Sequence, residues 1–389
     1  MSDVRTVVDW LVDGARSATK AEDVLVELSQ RMIDSGIPIW RAAVFVNTLH
    51  PEVVGRAFIW QTDTGVKISE ARYDMLETDE YLNSPVVAIY NTRRPVRRHL
   101  AGTNCPDDFP VLADLRAAGA TDYAAFPLPF TDGSIHVASW TTRHSGGFTP
   151  KQFADLETLV APLTRVAEIR ALRRTATNLL NTYVGRQAGE RILAGKIRRG
   201  HVEAIRASIW LSDMRGFTTL SERLPTQDLV DLLNRYFDCQ VPVIFNHGGE
   251  VLKFMGDGLL AIFPLAGDGG DADAVCRRAL SCAREVRSRI NALDSPVGIE
   301  NEDAIRFGLA LHVGEVMYGN IGGGDRLDFT CIGPAVNLAA RLESVAGKLG
   351  RTIVASAEFV SHVPHEFTPL GEFSVAGFAA SQMVFGLAD

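Results

Sequence analysis

From Ala204 to Ala355 the chain alternates between apolar runs of strand length and amphipathic stretches of helix length. A strand is expected to end at Asp213, followed by a helix from about Thr226 to Asn246 and a hairpin from Glu250 to Phe263. A long helix from about Asp271 to Leu293 comes next, then strands Ile305 to Val313 and Leu327 to Ile332. Helix Pro334 to Ala346 and strand Thr352 to Ala355 complete the pattern. Helices alternating with strands, some joined directly as hairpins, predict an α+β sandwich with helices on one face of a largely antiparallel sheet. At 389 residues the chain exceeds one such unit, and two or three domains are expected.

The first part of the chain is patterned differently. Apolar residues recur at helical spacing up to residue 34, with Ser17 to Thr19 as a break. Strands Arg41 to Asn47 and Gly55 to Gln61 follow, and Thr131-Asp-Gly133 reads as the turn of a later hairpin. Trp40, Trp60 and Trp140 lie on strands and read as core rather than pocket lining. A helix then begins near Phe148-Thr149-Pro150. Its Leu156, Leu159, Leu163 and Val166 repeat in a 3-4 pattern, and Leu172 and Leu179 resume it seven residues apart. This reads as one half of a parallel helical pair, with Pro162 standing against it. The expected division is a first domain over residues 1–170, a helical linker and connector over 171–203, and a second domain over 204–389.

A net charge of −8 argues against nucleic acid as a partner. No run reaches the roughly 18 apolar residues of a membrane span, and the N-terminus lacks a signal-peptide apolar region, so a cytoplasmic protein is expected. The five cysteines, Cys105, Cys239, Cys276, Cys282 and Cys331, show no metal-finger spacing and read as reduced thiols.

Three segments concentrate the chemistry: Trp210-Leu-Ser-Asp213-Met-Arg-Gly216-Phe217-Thr218, Lys253-Phe-Met-Gly256-Asp257-Gly258, and Asp328-Phe-Thr330-Cys-Ile-Gly333-Pro-Ala-Val-Asn337-Leu-Ala-Ala-Arg341. Asp213 and Asp257 stand at strand ends, where two carboxylates can serve hard cations that take their other ligands from phosphate. Backbone N–H groups around Gly216, Phe217 and Thr218 suit phosphate oxygens. Asn337 and Arg341 lie four apart on one helix face, with Ala335, Leu338, Ala339 and Leu342 turned to the sheet.

Together these segments resemble the catalytic domain of the class III nucleotidyl cyclases, over about residues 204 to 386. The resemblance implies a ferredoxin-like catalytic fold that closes ATP to 3′,5′-cyclic AMP and pyrophosphate. It implies two Mg²⁺, for which Mn²⁺ can substitute, on Asp213 and Asp257. Lys253 and Thr330 would read the purine, and Asn337 and Arg341 would stabilise the transition state. Arg326 would match a triphosphate-binding position. Threonine at 330 resembles the bacterial-type adenylyl cyclases; guanylyl cyclases carry glutamate at the lysine position and usually cysteine at the other. The family's sites form between two catalytic domains, so a homodimer with sites at its interface is implied. Many relatives carry Val-Lys-Gly near the C-terminus where this chain has Val375-Ala376-Gly377, which puts part of the phosphate binding in doubt.

By order of elements, the first part resembles a GAF-like sensory domain, implying a small-molecule ligand of unknown identity that regulates the catalytic half. Haem is an alternative there, with His99 and Cys105 as axial ligands. The competing functions are a catalytically silent nucleotide-binding regulator and a guanylate cyclase. His312 reads as a packed strand residue.

Overall fold

The computed structural model describes residues 3–102, 106, 108–265, 271–293, 305–324 and 326–387. Cys105 of the sequence reading lies outside the described residues. The chain divides into two compact units, Met1–Leu179 and Leu180–Asp389.

In the first unit, α1 (Val4–Val12) and α2 (Ala21–Asp34) precede a six-stranded sheet. Its strands are β1 (Arg41–Asn47), β2 (Val53–Gln61), β3 (Gly65–Arg72), β4 (Val96–His99), β5 (Asp122–Pro129) and β6 (Ile135–Thr142), in the order β3-β2-β1-β6-β5-β4 with every neighbour antiparallel. The β5–β6 hairpin turns through Thr131-Asp-Gly133, where Gly133 N–H donates to the Phe130 carbonyl. Helices α3 (Asp79–Leu82), α4 (Pro85–Thr92) and α5 (Pro110–Ala117) occupy the stretch between β3 and β5.

The sheet is covered on both faces. Ala42, Val44, Phe126 and Trp140 meet α1, α2 and the helix α6 (Pro150–Val184) on one side, and Tyr123, Ala125 and Val137 meet α4 and α5 on the other. Trp60 and Trp140 lie on β2 and β6, Trp40 stands just before β1 rather than on a strand, and all three are buried in these cores. Leu156, Leu159, Leu163 and Val166 of α6 also belong to the first core. The opening of the 3-4 pattern is therefore spent inside this unit rather than on a partner helix, because the same spacing serves packing on a sheet. Pro162 sits within α6 without ending it. Further along, Ile169, Leu172, Ala176, Leu179 and Tyr183 continue the spacing and are exposed.

In the second unit, α7 (Arg186–Leu193) leads to the long strand β7 (Val202–Met214). Then come α8 (Phe217–Arg223), α9 (Thr226–Asp238), α10 (Val241–Asn246), the hairpin β8 (Glu250–Met255) and β9 (Gly258–Pro264), and α11 (Ala272–Asn291). The remainder is β10 (Phe307–Gly323), β11 (Arg326–Ile332), α12 (Pro334–Lys348), β12 (Ile353–Ser356), α13 (Ala357–Val360), β13 (Phe367–Phe373) and β14 (Gln382–Leu387). The helix expected over Thr226 to Asn246 is two helices, and the strand expected to stop at Val313 runs to Gly323, its far half pairing with β11.

The sheet order is β13-β14-β12-β10-β7-β9-β8, with β11 paired to β10. Only β10 and β12 run parallel among its pairs. One expectation is corrected: helices cover both faces of this sheet. Leu259, Ala261 and Phe263 of β9 meet α9, α10 and α11, whereas Leu260 and Ile262 meet α7 and α12. A strand buried on both sides reads as a continuous apolar run, as Gly258-Leu-Leu-Ala-Ile-Phe263 does. The connector is held within the second unit by an Arg191–Glu203 ion pair, by Arg191 over the Tyr318 ring at 4.9 Å, and by the Asn320 amide on the Lys196 carbonyl at 2.8 Å.

Candidate active site

Residues Ala207 to Ser212 of β7 are buried, and Asp213 follows half-buried, opposite Gly308 of β10. Asp257 stands in the two-residue turn between β8 and β9, whose last pair is Met255 and Gly258. Since β7 and β9 are neighbours, the turn brings Asp257 against Asp213, and their carboxyl groups come within hydrogen-bonding reach. Burial, then the charges of Asp257 and Glu343, push the Asp213 carboxyl up to about 7. Two carboxyls so placed repel unless a proton or a cation sits between them. Among the described residues no cluster of three metal-binding side chains occurs. The pair fits an ion that draws its remaining ligands from phosphate and water, as Mg²⁺ commonly does.

A second charged pair, which the sequence did not announce, lies beside them. Arg215 Nη1 is 2.7 Å from Glu343 Oε1 of α12, and its Nη2 donates to the Glu343 carbonyl at 3.3 Å. Gly308 makes room for that guanidinium: a Cβ there would lie 1.8 Å from Nη2. Glu343 pushes the Asp213 carboxyl up and Arg215 holds it down, so the pair adds two opposed charges to the larger effects of burial and Asp257. A glycine within an otherwise apolar strand was the available signal, since it marks close approach.

The segment after Asp213 turns at Gly216, whose φ of +73° is the left-handed conformation glycine tolerates, and α8 opens there with Phe217 and an exposed Thr218.

Lys253 projects from β8, and its Nζ donates to Asp328 Oδ2 of β11 at 2.8 Å. Lys253, Asp328 and Thr330 line one cleft of about 1010 Å³ with Val251, Phe254 and Tyr183. Asp328 and Thr330, two apart on a strand, share a face. The lysine lowers the Asp328 carboxyl from its ordinary range. Arg326 is exposed at the start of β11.

Asn337 and Arg341 are exposed on α12, while Ala335, Leu338, Ala339 and Leu342 are buried toward the sheet, as their spacing predicts. The predicted residues thus fall into groups. The structure brings Asp213 to Asp257 and Lys253 to Thr330, but the cleft holding Lys253 contains neither aspartate, nor Asn337 or Arg341. Ala376 is exposed between β13 and β14. His312 is buried with Nδ1 2.8 Å from Ser356 Oγ. The described cysteines Cys239, Cys276, Cys282 and Cys331 are buried free thiols.

Residues 202–388 match the family described as adenylate and guanylate cyclase catalytic domain. This stretch is a class III adenylate/guanylate cyclase catalytic domain. Class III cyclases generally use divalent metal ions, in keeping with the paired carboxylates. The chain is similar to adenylate cyclase 1 of Rhizobium meliloti, 29% identical over 238 residues that cover 58% of this chain and 35% of that protein. It is 29% identical to the adenylate cyclase of Anabaena cylindrica over 174 residues, covering 44% and 34%. The chain thus spans about a third of the length of these curated relatives. A solved bacterial light-regulated adenylyl cyclase aligns at a TM-score of 0.46 and 26% identity, covering 59% of this chain and 64% of that one. No helix among the described residues is long and apolar enough to cross a membrane.

Proposed function

We propose that the protein is an adenylate cyclase, converting ATP to 3′,5′-cyclic AMP and pyrophosphate, and that its first unit regulates it. The observation that carries this reading is the Asp213–Asp257 pair, two carboxyls held together at adjoining strand ends in a domain of this family. Asp213 and Asp257 would hold two Mg²⁺ or Mn²⁺, whose chemistry when bound would be activation of the ribose 3′-oxygen and neutralisation of the triphosphate. The 3′-oxygen forms a bond to the α-phosphorus as the bond to the β-phosphate oxygen breaks, pyrophosphate leaves, and the hydroxyl proton passes to solvent.

The protein's own part is positioning and electrostatics. Lys253 and Thr330 contact the purine from their shared cleft. The backbone around Gly216, Phe217 and Thr218 holds phosphate oxygens, with Arg326 contributing charge. Asn337 orients the nucleotide, and Arg341 meets the charge that grows at phosphorus during displacement. Lys253 with Thr330 favours ATP over GTP, because neither residue is the glutamate or cysteine of the guanylyl type.

The separation of the residue groups within one chain supports sites completed by a second copy, the metal aspartates from one protomer and Lys253, Thr330, Asn337 and Arg341 from the other. The first unit is assigned a GAF-like sensory role on its covered antiparallel sheet and its long exit helix. A cytoplasmic location belongs to the same reading.

The test is product analysis of the full-length protein with ATP or GTP, in Mg²⁺ and separately in Mn²⁺. Cyclic AMP is expected from ATP and none from Asp257→Ala. Cyclic GMP as the main product overturns the substrate assignment. Absence of any cyclic product from a dimer that binds ATP favours a silent nucleotide-binding regulator, a reading that Ala376 in the family's lysine position supports.

A further inference from the structure

The first unit contains a cleft of about 1030 Å³ between its sheet and the α3–α4 segment. Arg41, Phe45, Tyr81, Tyr90, Val111 and Tyr123 are among its lining. Arg41 is 9% exposed. Among the described residues no carboxylate pairs with its guanidinium and no hydrogen bond engages it. A buried arginine in that state is costly, since an ion taken from water needs a partner to offset its desolvation.

Sheet register extends the observation. Arg41 of β1 lies opposite Thr141 of β6, which lies opposite Tyr123 of β5, so the three form one row across one face. The Thr141 hydroxyl is fully buried and has no hydrogen-bond partner. Arg41 and the residue bearing this orphan hydroxyl therefore stand on neighbouring strands of one sheet face, and Arg41 itself lines the cleft. The lining includes the planar rings of Phe45, Tyr81, Tyr90 and Tyr123, and burial raises the Tyr81, Tyr90 and Tyr123 phenols, which stay neutral.

The charge of the missing partner follows from the other lining residues. Arg56 also borders the cleft but is ion-paired with Glu70 of β3, and Glu80, a carboxylate of the same lining, is exposed and makes no ion pair with Arg41. One buried cation is left to neutralise, which fits a monoanion. A phosphate dianion would keep an unpaired charge in the cleft. A carboxylate matches the two parallel N–H donors of a guanidinium.

We infer that this cleft is a binding site for a small carboxylate on a flat apolar body, with Arg41 as its anion anchor. The site is distinct from the nucleotide residues, and its occupancy is measured without reference to cyclase activity.

The experiment titrates the full-length protein by calorimetry with benzoate, naphthalene-2-carboxylate and octanoate, each against its neutral amide. At least one carboxylate is expected to bind about ten-fold more tightly than its amide, a margin of roughly 1.4 kcal/mol. Arg41→Met should bring that ratio below about two-fold, and Arg41→Lys, which keeps the charge but not the fork, should retain part of it. Without added carboxylate, Arg41→Met should melt no lower than wild type, because it removes an unpaired buried charge. No saturable carboxylate binding, equal binding of acid and amide, or an undiminished ratio in Arg41→Met each overturns the assignment. So does a marked loss of melting temperature in Arg41→Met, which would mean that the protein itself satisfies the guanidinium.

Discussion

The Lys253 ammonium on β8 lies 2.8 Å from Asp328 Oδ2 on β11, joining residues 75 apart in sequence at the cleft that also holds Thr330. Both side chains are close to half exposed, so the pair adds at most about 1 kcal/mol to stability. Its consequence is orientation: a flexible lysine is held toward the face that carries Thr330, and immobilising such a side chain costs about 0.5 to 1.5 kcal/mol on binding when it is not already fixed. Asp328→Ala is therefore expected to raise KM for ATP by about three- to ten-fold, with kcat and melting temperature nearly unchanged. Steady-state kinetics with ATP and GTP check this, and an unaltered KM would show that the lysine needs no holding.

The carboxylate pair makes a prediction about pH. The folded state raises the Asp213 carboxyl to about 7 from an ordinary value near 4. Between those values the folded chain holds a proton that the unfolded chain has released, so stability falls as pH rises through the window. Melting in chelator should fall from about pH 4 to about pH 7 more steeply in wild type than in Asp213→Asn. Added Mg²⁺ should restore wild type at the upper end and leave the variant unmoved. Identical pH profiles for the two proteins would remove the carboxylate pair as the cause.

Arg215 and Glu343 give a test of packing beside that pair. Glu343 is nearly buried, and deleting it leaves a partly buried guanidinium without its carboxylate. Glu343→Ala is expected to cost about 2 to 3 kcal/mol, at or below the roughly 3 to 5 kcal/mol of breaking a fully buried ion pair, because Arg215 stays partly exposed. Gly308→Ala attacks the same contact from the strand side, since its Cβ would collide with Arg215 Nη2, and a cost of about 1 to 3 kcal/mol is expected. The two losses should not add in the double variant, because both act by freeing Arg215. Denaturant titration of the two single variants and the double variant decides it, and strict additivity would place the effects elsewhere.

What was legible in the sequence follows from what is local. The β8–β9 hairpin carries its own apolar run and glycine turn, and the inward face of α12 is written in Ala335, Leu338, Ala339 and Leu342, so both were read correctly. Strand β3 was missed because Gly-Val-Lys-Ile-Ser-Glu-Ala-Arg is an exposed edge with no apolar run to mark it. Helices on both sides of the second sheet were missed because the pattern of a strand does not say which helix covers which face. The polar pairs were the least legible. Arg215 meets Glu343 across 128 residues, and Arg41, at the head of an apolar strand, reads as an ordinary boundary charge until the sheet register puts Thr141 and Tyr123 beside it. Contacts of that kind are properties of topology, not of any window of sequence.

The exposed spacing on α6 leads to the prediction about assembly. Ile169, Leu172, Ala176, Leu179 and Tyr183 step by three and four, the spacing that a two-stranded coiled-coil seam requires, and the first two are 63% and 60% exposed. Leu172→Glu with Leu179→Glu would bring like charges together in a parallel pair. This double variant is expected to shift the protein from dimer to monomer in sedimentation and to abolish cyclisation, although both substitutions lie outside residues 202–388. Complementation separates assembly from catalysis. On the proposed shared site, Asp213→Ala and Asn337→Ala would each remove one side, and an equal mixture that exchanges freely should recover about a quarter of wild-type activity, since half the dimers would then carry one intact site of two. Introducing the two glutamates into both partners should abolish that recovery. Activity in a sedimentation-verified monomer, or no recovery in verified heterodimers, would mean that one chain completes its own site.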